Sequence, residues 1–435
     1  MKYLRLILIV LGLLAAAFQP ARAQSDDPLV IVMHADGVIF PAMQEYIERG
    51  IKVAAQRNAD LLIIELNTPG GSVDTMNQIV SAIRASEVPV VVHVTPRGAW
   101  AASAGAFITM SAHASAMSLE TVIGAASPVT SDGGDLQETL KAKEMEALTA
   151  KVRTLTAGRS KEAQKLAEAM VLDAKAVTAQ EALDAGLIDF IAADTDELLE
   201  KLDGFIVQMS DGPRRLNTAN ARTEDLNMSF VEQLLLILTD PNIVFLLLAI
   251  GVQSLFIELG SPGGWVAGTI GVVCLSLAAY GLGILPVNWF GIILMVTAFV
   301  LFIIDVYAPT HGALTAAGIA AFVVGALVLF NSPGTPEFQR VSVPLVIGSG
   351  VLMGLAFAVL VGFMIRALRV PISMGAESFV GKLGQVRAWS EAAGQVQLGA
   401  ELWSAESVAE SESIQLGDEV EVVEVKGLRL QVKKK

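Results

Sequence analysis

One cysteine and four histidines stand among the 435 residues of this chain. A single cysteine, Cys274, excludes an intramolecular disulfide and a thiolate metal cluster. It lies in an apolar run and reads as a small buried hydrophobe. Charge is also scarce. Charged residues make up 17% of the sequence, against about a quarter in ordinary soluble domains. Basic residues are the scarcer sign, 30 against 44 acidic, for a net charge of -14. Nucleic acid wants a basic face, so it is excluded as a partner. No cofactor and no metal is expected. Hydrophobic residues, by contrast, reach 53%. The excess is local, which points to a membrane protein with soluble parts.

The first residues read as a signal peptide, 1–23. Lys2 and Arg5 precede the apolar run Leu6 to Phe18, and Ala21-Arg22-Ala23 fits a small-x-small cleavage site. Gln24 is then the first mature residue, and the domain that begins there is exported.

Residues 24–209 have an α/β pattern. Leu29 to Met33, Leu61 to Leu66 and Val88 to Val94 are short apolar runs that predict buried strands. Ala42 to Gln56 and Val73 to Ala85 carry helical periodicity between them. Alternation of this kind implies βαβ units and a mostly parallel sheet. Ser131 to Asp135 is a loop by composition, followed by a long helix from about Gln137 to Ala157. Thr178 can cap a short helix that ends near Gly186 and leads into a last strand. Residues 210–229 are polar and read as a linker.

The apolar excess falls in 230–370. Pro241 to Ile257, Trp265 to Ile284, Val287 to Val306, Leu314 to Phe330 and Val343 to Ile365 predict about five membrane helices, the first and fourth being the shortest. Phe230 to Leu238, which includes Glu232, reads as an interfacial helix. Glu258 and Asp305 sit at span ends and read as solvated carboxylates. With the N-terminal domain outside, five spans leave the C-terminus inside, and Arg366, Arg369, Lys382 and Arg387 obey the positive-inside rule there. Residues 377–435 alternate apolar and polar side chains at period two, between regularly placed glycines. They predict a small five-stranded barrel of the OB type. The acidic run Glu406 to Glu412 disfavours nucleic acid as its ligand and favours a protein-docking or structural role.

Two segments carry chemistry. Ser103 stands in Ala101-Ala102-Ser103-Ala104-Gly105, at what reads as a helix N-terminus. A nucleophilic hydroxyl there is favoured by the macrodipole. Upstream, Asn67-Thr68-Pro69-Gly70-Gly71 forms a turn able to present backbone N–H groups to an anion. Gly70 and Gly71, with the N–H of Ala104, are the candidate oxyanion donors. The base is harder to find. His311 lies in the membrane region, and His113 is ten residues beyond Ser103, about 15 Å along a helix. His34 and His93 precede the serine at strand ends. A lysine made neutral by desolvation is the other route to a base, and Lys141, Lys143 and Lys151 all lie after the polar loop.

Ile63 to Val73, Ala101 to Phe107 and Glu181 to Asp189 resemble the Clp-protease and crotonase-like fold. With the spans and the barrel behind them, the chain resembles the NfeD family of long-form membrane-bound serine proteases over essentially all of its mature length. The resemblance implies a Ser-Lys dyad of Ser103 and Lys143, the lysine twelve residues before Leu155, with Lys141 as the alternative. Glu146 replaces a family asparagine, and a carboxylate there could pair with Lys143 and raise its pKa. Asn67 stands where relatives often show aspartate. The resemblance further implies endopeptidase activity on apolar segments of a polypeptide substrate, a stomatin-type (SPFH) partner, a homo-oligomer, and residence in the cell (inner) membrane. The alternatives are a non-catalytic membrane scaffold and, from the shared fold, an acyl-CoA enzyme, which export and the Ser-Lys pair disfavour.

Overall fold

The structure, a computed structural model, describes residues 27–128, 138–260, 264–308, 310, 312–332, 335–368, 376–408 and 413–435. The expected signal peptide and the loop Ser131 to Asp135 lie outside them. The chain divides into two compact units, Met1–Leu352 and Met353–Lys435.

The first unit opens with β1 (Leu29–Asp36), α1 (Pro41–Gln56), β2 (Leu61–Asn67), α2 (Val73–Arg84) and β3 (Val90–Val94). The strands pair in parallel, Val30 with Leu61 and Leu62 with Val90, so each connection must be a crossover, which the helices supply. Then come β4 (Trp100–Ala102), α3 (Ala104–Ser111), β5 (Ala114–Met117), β6 (Val122–Gly124), α4 (Glu138–Leu155) and α5 (Lys161–Leu172). After them stand β7 (Ala176–Thr178), α6 (Ala179–Asp184), β8 (Phe190–Ile191), α7 (Thr195–Leu202), β9 (Ile206–Met209), β10 (Gly212–Arg215) and β11 (Arg222–Asp225). The main sheet runs β11-β1-β2-β3-β5-β8. One face, with Met33, Leu62 and Val92, packs on α1 to α5, and the other, with Val32, Leu61 and Val91, packs under α7 and β9. Burial on both faces is why these strands read as unbroken apolar runs. The cap at Thr178 is present as a full box with Glu181.

Residues 210–229 are not simply a linker. β10 pairs antiparallel with β9, and β11 adds a parallel edge strand on β1. An edge strand satisfies its backbone on one side and can keep its other side polar. Polarity therefore misleads here, and the domain extends to Asp225.

Five apolar helices come after α8 (Phe230–Ile237): α9 (Pro241–Gly260), α10 (Val266–Ile284), α11 (Trp289–Tyr307), α12 (Ala313–Phe330) and α13 (Val343–Leu368). Among the described residues, four stretches are long and apolar enough to cross a membrane: Pro241–Glu258, Val266–Ile284, Ala313–Phe330 and Glu337–Ala356. The third apolar helix is counted only over the shorter stretch Trp289–Asp305, although α11 runs 19 residues in all, Trp289–Tyr307. The first gains length at its end, where the helix runs on to Gly260, and the fourth opens one residue earlier than expected, at Ala313.

The second unit holds β12 (Leu383–Ser390), β13 (Ala393–Leu398), β14 (Glu401–Ser407), β15 (Glu419–Lys426) and β16 (Arg429–Lys434), closed in the order β12-β13-β14-β16-β15. Val386, Val396, Ala405, Val420, Leu430 and Val432 fill it. The predicted barrel is present. Its fifth strand, β16, is not among the alternating runs legible in the sequence, because Lys433-Lys434-Lys435 masks its period.

One ion pair joins the soluble domain to the helices behind it. Ser229 caps α8 in a box with Glu232. The Arg49 guanidinium donates from Nε and Nη2 to the two Glu232 oxygens, 2.7 Å each, and from Nη2 to the Asn227 carbonyl at 2.8 Å. The Glu232 side chain is 8% exposed. Arg49 holds its carboxyl below the usual range. Its stabilising contribution is therefore present at neutral pH and is lost as the pH falls into the carboxylate range. Glu232→Gln should lower stability by about 1.5–3 kcal/mol at pH 7, as for charged hydrogen bonds elsewhere. Denaturant melts of the two proteins should converge in acid. A constant difference between them would refute this role.

Candidate active site

Ser103 sits at the N-cap of α3 with φ 51° and ψ -113°. Such a backbone costs a non-glycine residue about 1–3 kcal/mol and persists only where its surroundings impose it. They do. The Ser103 N–H donates to the Gly124 carbonyl of β6 at 2.8 Å. Just before it, Thr68 N–H donates to Trp100 O and Ala102 N–H donates to Thr68 O, a parallel bridge between Thr68 and Ala101. The serine is thus clamped between two strands' ends, half-buried. Its side chain does not cap its own helix.

The glycine turn lies directly opposite. Gly70 has φ 119°, and a Cβ there would stand 2.8 Å from Ser103 Cβ and 3.3 Å from its Oγ. Only glycine fits. Ile39 N–H donates to Gly70 O, and Ser72 N–H donates to Ile39 O. In a parallel bridge the residue between those two bonds, Gly71, turns its own N–H and C=O the other way. Gly71 N–H has no acceptor among the described residues. Ala104 N–H, first in α3, likewise has none, as expected at a helix start. Gly70 differs from the expectation. Its N–H is engaged by Thr68 Oγ1 at 3.1 Å, a hydroxyl turn that the spacing Thr68 to Gly70 signals. Two N–H groups without an acceptor among the described residues, those of Gly71 and Ala104, are therefore the chain neighbours of Gly70 and Ser103.

No amine is bonded to Ser103 among the described residues. Lys143 lies on the exposed face of α4 with Ala147, Ala150 and Thr154. Lys141 is two residues away, about 200° around the helix. It is half-buried and shares a stripe with Met145, Leu148 and Val152. Lys151 Nζ donates to Asn77 Oδ1 across a cleft of about 320 Å³ between α2 and α4, and burial pushes its pKa down. Glu146 is not the obstacle expected. Its carboxylate is 3.6 Å from Arg153, an exposed pair.

The described histidines are committed elsewhere. His93 Nε2 lies 3.2 Å from Ala192 O and 3.2 Å from Ser118 Oγ, and burial lowers its pKa. His113 Nδ1 accepts from Val90 N–H at 3.0 Å and is pushed down to about 4 by burial. His34 Nδ1 pairs with Glu65 at 2.8 Å on the surface. His311 lies outside the described residues.

Asn67 staples the turn. Its Nδ2 donates to Asp36 Oδ1 at 3.1 Å, and its Oδ1 accepts from Trp100 N–H at 3.0 Å. The backbone donor decides which end of the amide is oxygen. Asn67 and Asp36 are direct cross-strand partners. Asn67→Asp sets two carboxylates against each other, a cost of about 1 kcal/mol. Melting temperature should fall at pH 7 and recover at pH 4. The exchange Asp36→Asn with Asn67→Asp should restore it at pH 7, and failure of that rescue would sink the staple.

Known proteins match this chain domain by domain. Residues 30–211 match the NfeD1b N-terminal domain, 242–363 the NfeD integral membrane domain, and 376–434 the NfeD-like C-terminal, partner-binding domain. The chain is 34% identical to the membrane-bound protease PH1510 of Pyrococcus horikoshii, over 99% of this chain and 97% of that one. It is 28% identical to the membrane protein NfeD1b of Bacillus subtilis, over 80% and 77%. Among solved structures it is similar to a lysine-to-alanine mutant of the 1510-N membrane-bound stomatin-specific protease in complex with a substrate peptide. Identity there is 32%, coverage 49% of this chain and 98% of that one, and the TM-score 0.45. With an α/β domain, an apolar helical region and a closed barrel in that order, and with a relative matched from end to end, this integral membrane protein belongs to the NfeD family.

Proposed function

We propose that this chain is a membrane-anchored serine endopeptidase, with Ser103 as nucleophile. The observation that carries it is the strained Ser103 backbone packed against Gly70, beside two N–H groups, of Gly71 and Ala104, that have no acceptor among the described residues. Ser103 Oγ attacks a peptide carbonyl, and the oxygen that becomes negative is held between those N–H groups. Gly70 serves by lacking a side chain. Removing one such donor typically slows acyl transfer by ~10²–10³. A neutral lysine takes the hydroxyl proton and passes it to the leaving amine, and water releases the acyl group. The end-to-end relative named as a protease supports the reading.

The base comes from α4. The family resemblance favours Lys143, which must turn in from the solvent face, as a shift of the first turns of α4 would allow. Lys141 is favoured by its half-buried position on the face toward the core. A fluorophosphonate probe on the full chain in detergent decides. Labelling should vanish in Ser103→Ala and drop about 10²–10⁴-fold in the variant that removes the base. Equal labelling of Lys143→Ala, Lys141→Ala and wild type would exclude both lysines. The exposed Lys143 also gives weight to a second reading, a scaffold without catalysis. Folded wild-type protein that takes no label supports that reading and overturns the protease.

Five crossings put the protease domain outside the cell membrane and the barrel inside. The third helix, α11, runs 19 residues, about 28 Å, close to the ~30 Å hydrocarbon thickness. The cations Lys382 and Arg387 then lie inside, while Arg369 falls outside the described residues. The polypeptide substrate is an apolar segment of a stomatin-type membrane protein, which also serves as partner, and the protease domains act as a homo-oligomer. Cleavage of a stomatin-like protein from the same cell, lost in Ser103→Ala, tests the substrate. No cleavage by a probe-reactive enzyme would exclude it.

A further inference from the structure

A cleft of about 460 Å³ lies where the soluble domain meets the membrane helices. The starts of α1 and α2 form one side, with Phe40, Pro41, Glu45, Ser72 and Asp74. The end of α10 forms the other, with Gly283 and Ile284. The wall on the soluble side is cross-linked, because Gln44 Nε2 donates to Gln78 Oε1 at 2.5 Å and to Glu48 Oε1 at 2.9 Å.

Two contacts hold the walls apart at a set distance. Arg49 and Glu232 pin α8 to α1. The end of α10 is then pressed against the corner after α8, since a Cβ on Gly281 would stand 2.7 Å from Leu238 O and 2.3 Å from Val244 Cγ2. The opening at Gly283 is real space. A Cβ there meets nothing within 4 Å.

The cleft runs into the catalytic turn. Ser72, in its lining, is next to Gly71, and Phe40 is next to Ile39, whose backbone grips Gly70 and Ser72. Its other rim is the last turn of a membrane helix. A chain lying in it passes from the bilayer surface to Ser103.

Charge selects the occupant. Glu45 and Asp74 are the ionisable residues of the lining. Both are exposed, and neither carboxylate has a hydrogen-bond or ion-pair partner among the described residues. The starts of α1 and α2 each contribute about half a positive charge. Two full carboxylates outweigh them, leaving the cleft negative by about one charge.

We propose that this cleft receives the juxtamembrane stretch of a membrane-anchored polypeptide bearing lysine or arginine, and guides the adjoining residues to Ser103. The inference rests on the protease reading and adds the class of segment selected.

The test uses the full chain in phosphatidylcholine nanodiscs with single-span reporters that share one cleavable stretch. Their flanks at the membrane carry three lysines, three serines or three glutamates. The lysine flank should raise kcat/KM about tenfold over serine at low salt, and glutamate should lower it; the gain should fade at high salt, where rim charges are screened. Glu45→Gln with Asp74→Asn should erase the gain. Gly283→Trp should slow all three reporters by filling the cleft. A soluble peptide of the same cleavable stretch should be cut alike by every variant. Equal rates on all flanks, with the soluble peptide still cut, would overturn the proposal and leave the protease reading intact. If the soluble peptide is not cut at all, the protease reading fails. Binding of the uncut reporters to Ser103→Ala then judges the cleft on its own. Tighter binding of the lysine flank that Glu45→Gln with Asp74→Asn removes sustains it, and equal affinity overturns it.

Discussion

Everything at the candidate site depends on holding Ser103 in a backbone conformation that an L-residue rarely adopts. Three bonds impose it: Ser103 N–H to Gly124 O, Thr68 N–H to Trp100 O, and Ala102 N–H to Thr68 O. They come from three different parts of the chain, so the strain is distributed over the packed sheet and not borne by one loop. The same clamp fixes α3 at its first residue, Ala104. Gly70 completes the arrangement by having no Cβ. A methyl group there would collide with the serine it faces.

The soluble domain and the membrane helices are joined by a second constraint of a different kind. Arg49 and Glu232 form a bidentate pair with little access to water, and Glu232 also closes the capping box of α8. Breaking one interaction loosens the other. This coupling sets the distance between the glycine turn and the end of α10, and so the cleft between them. A domain tethered only by a flexible linker would have no such cleft. The residues from 210 onward are therefore structural: β11 extends the sheet, and Asn227 O accepts from the same arginine.

Many of these features are legible in the residues. Strands buried on both faces appear as unbroken apolar runs, and the spans and the barrel each carry their own period. The Ser103 motif and the Pro-Gly-Gly turn are readable as candidate nucleophile and donors through the family resemblance, since small residues alone also serve close helix packing and such turns are common. Other features are not readable. Edge strands such as β11 are polar because only their backbone is engaged. Gly124 gives no sign of its role, since any residue has a carbonyl. Which of Gly70 and Gly71 keeps a free N–H depends on where Ile39 and Thr68 lie.

Sequence alone determined the order of domains, the excess of apolar helices and which serine is the candidate nucleophile, because periodicity and residue chemistry are local properties. Tertiary structure decided the rest. It left the N–H groups of Gly71 and Ala104 without an acceptor among the described residues, and it committed His93 and His113 to the core. Those outcomes depend on direction and distance between segments far apart in the chain, which spacing along one strand of sequence does not encode.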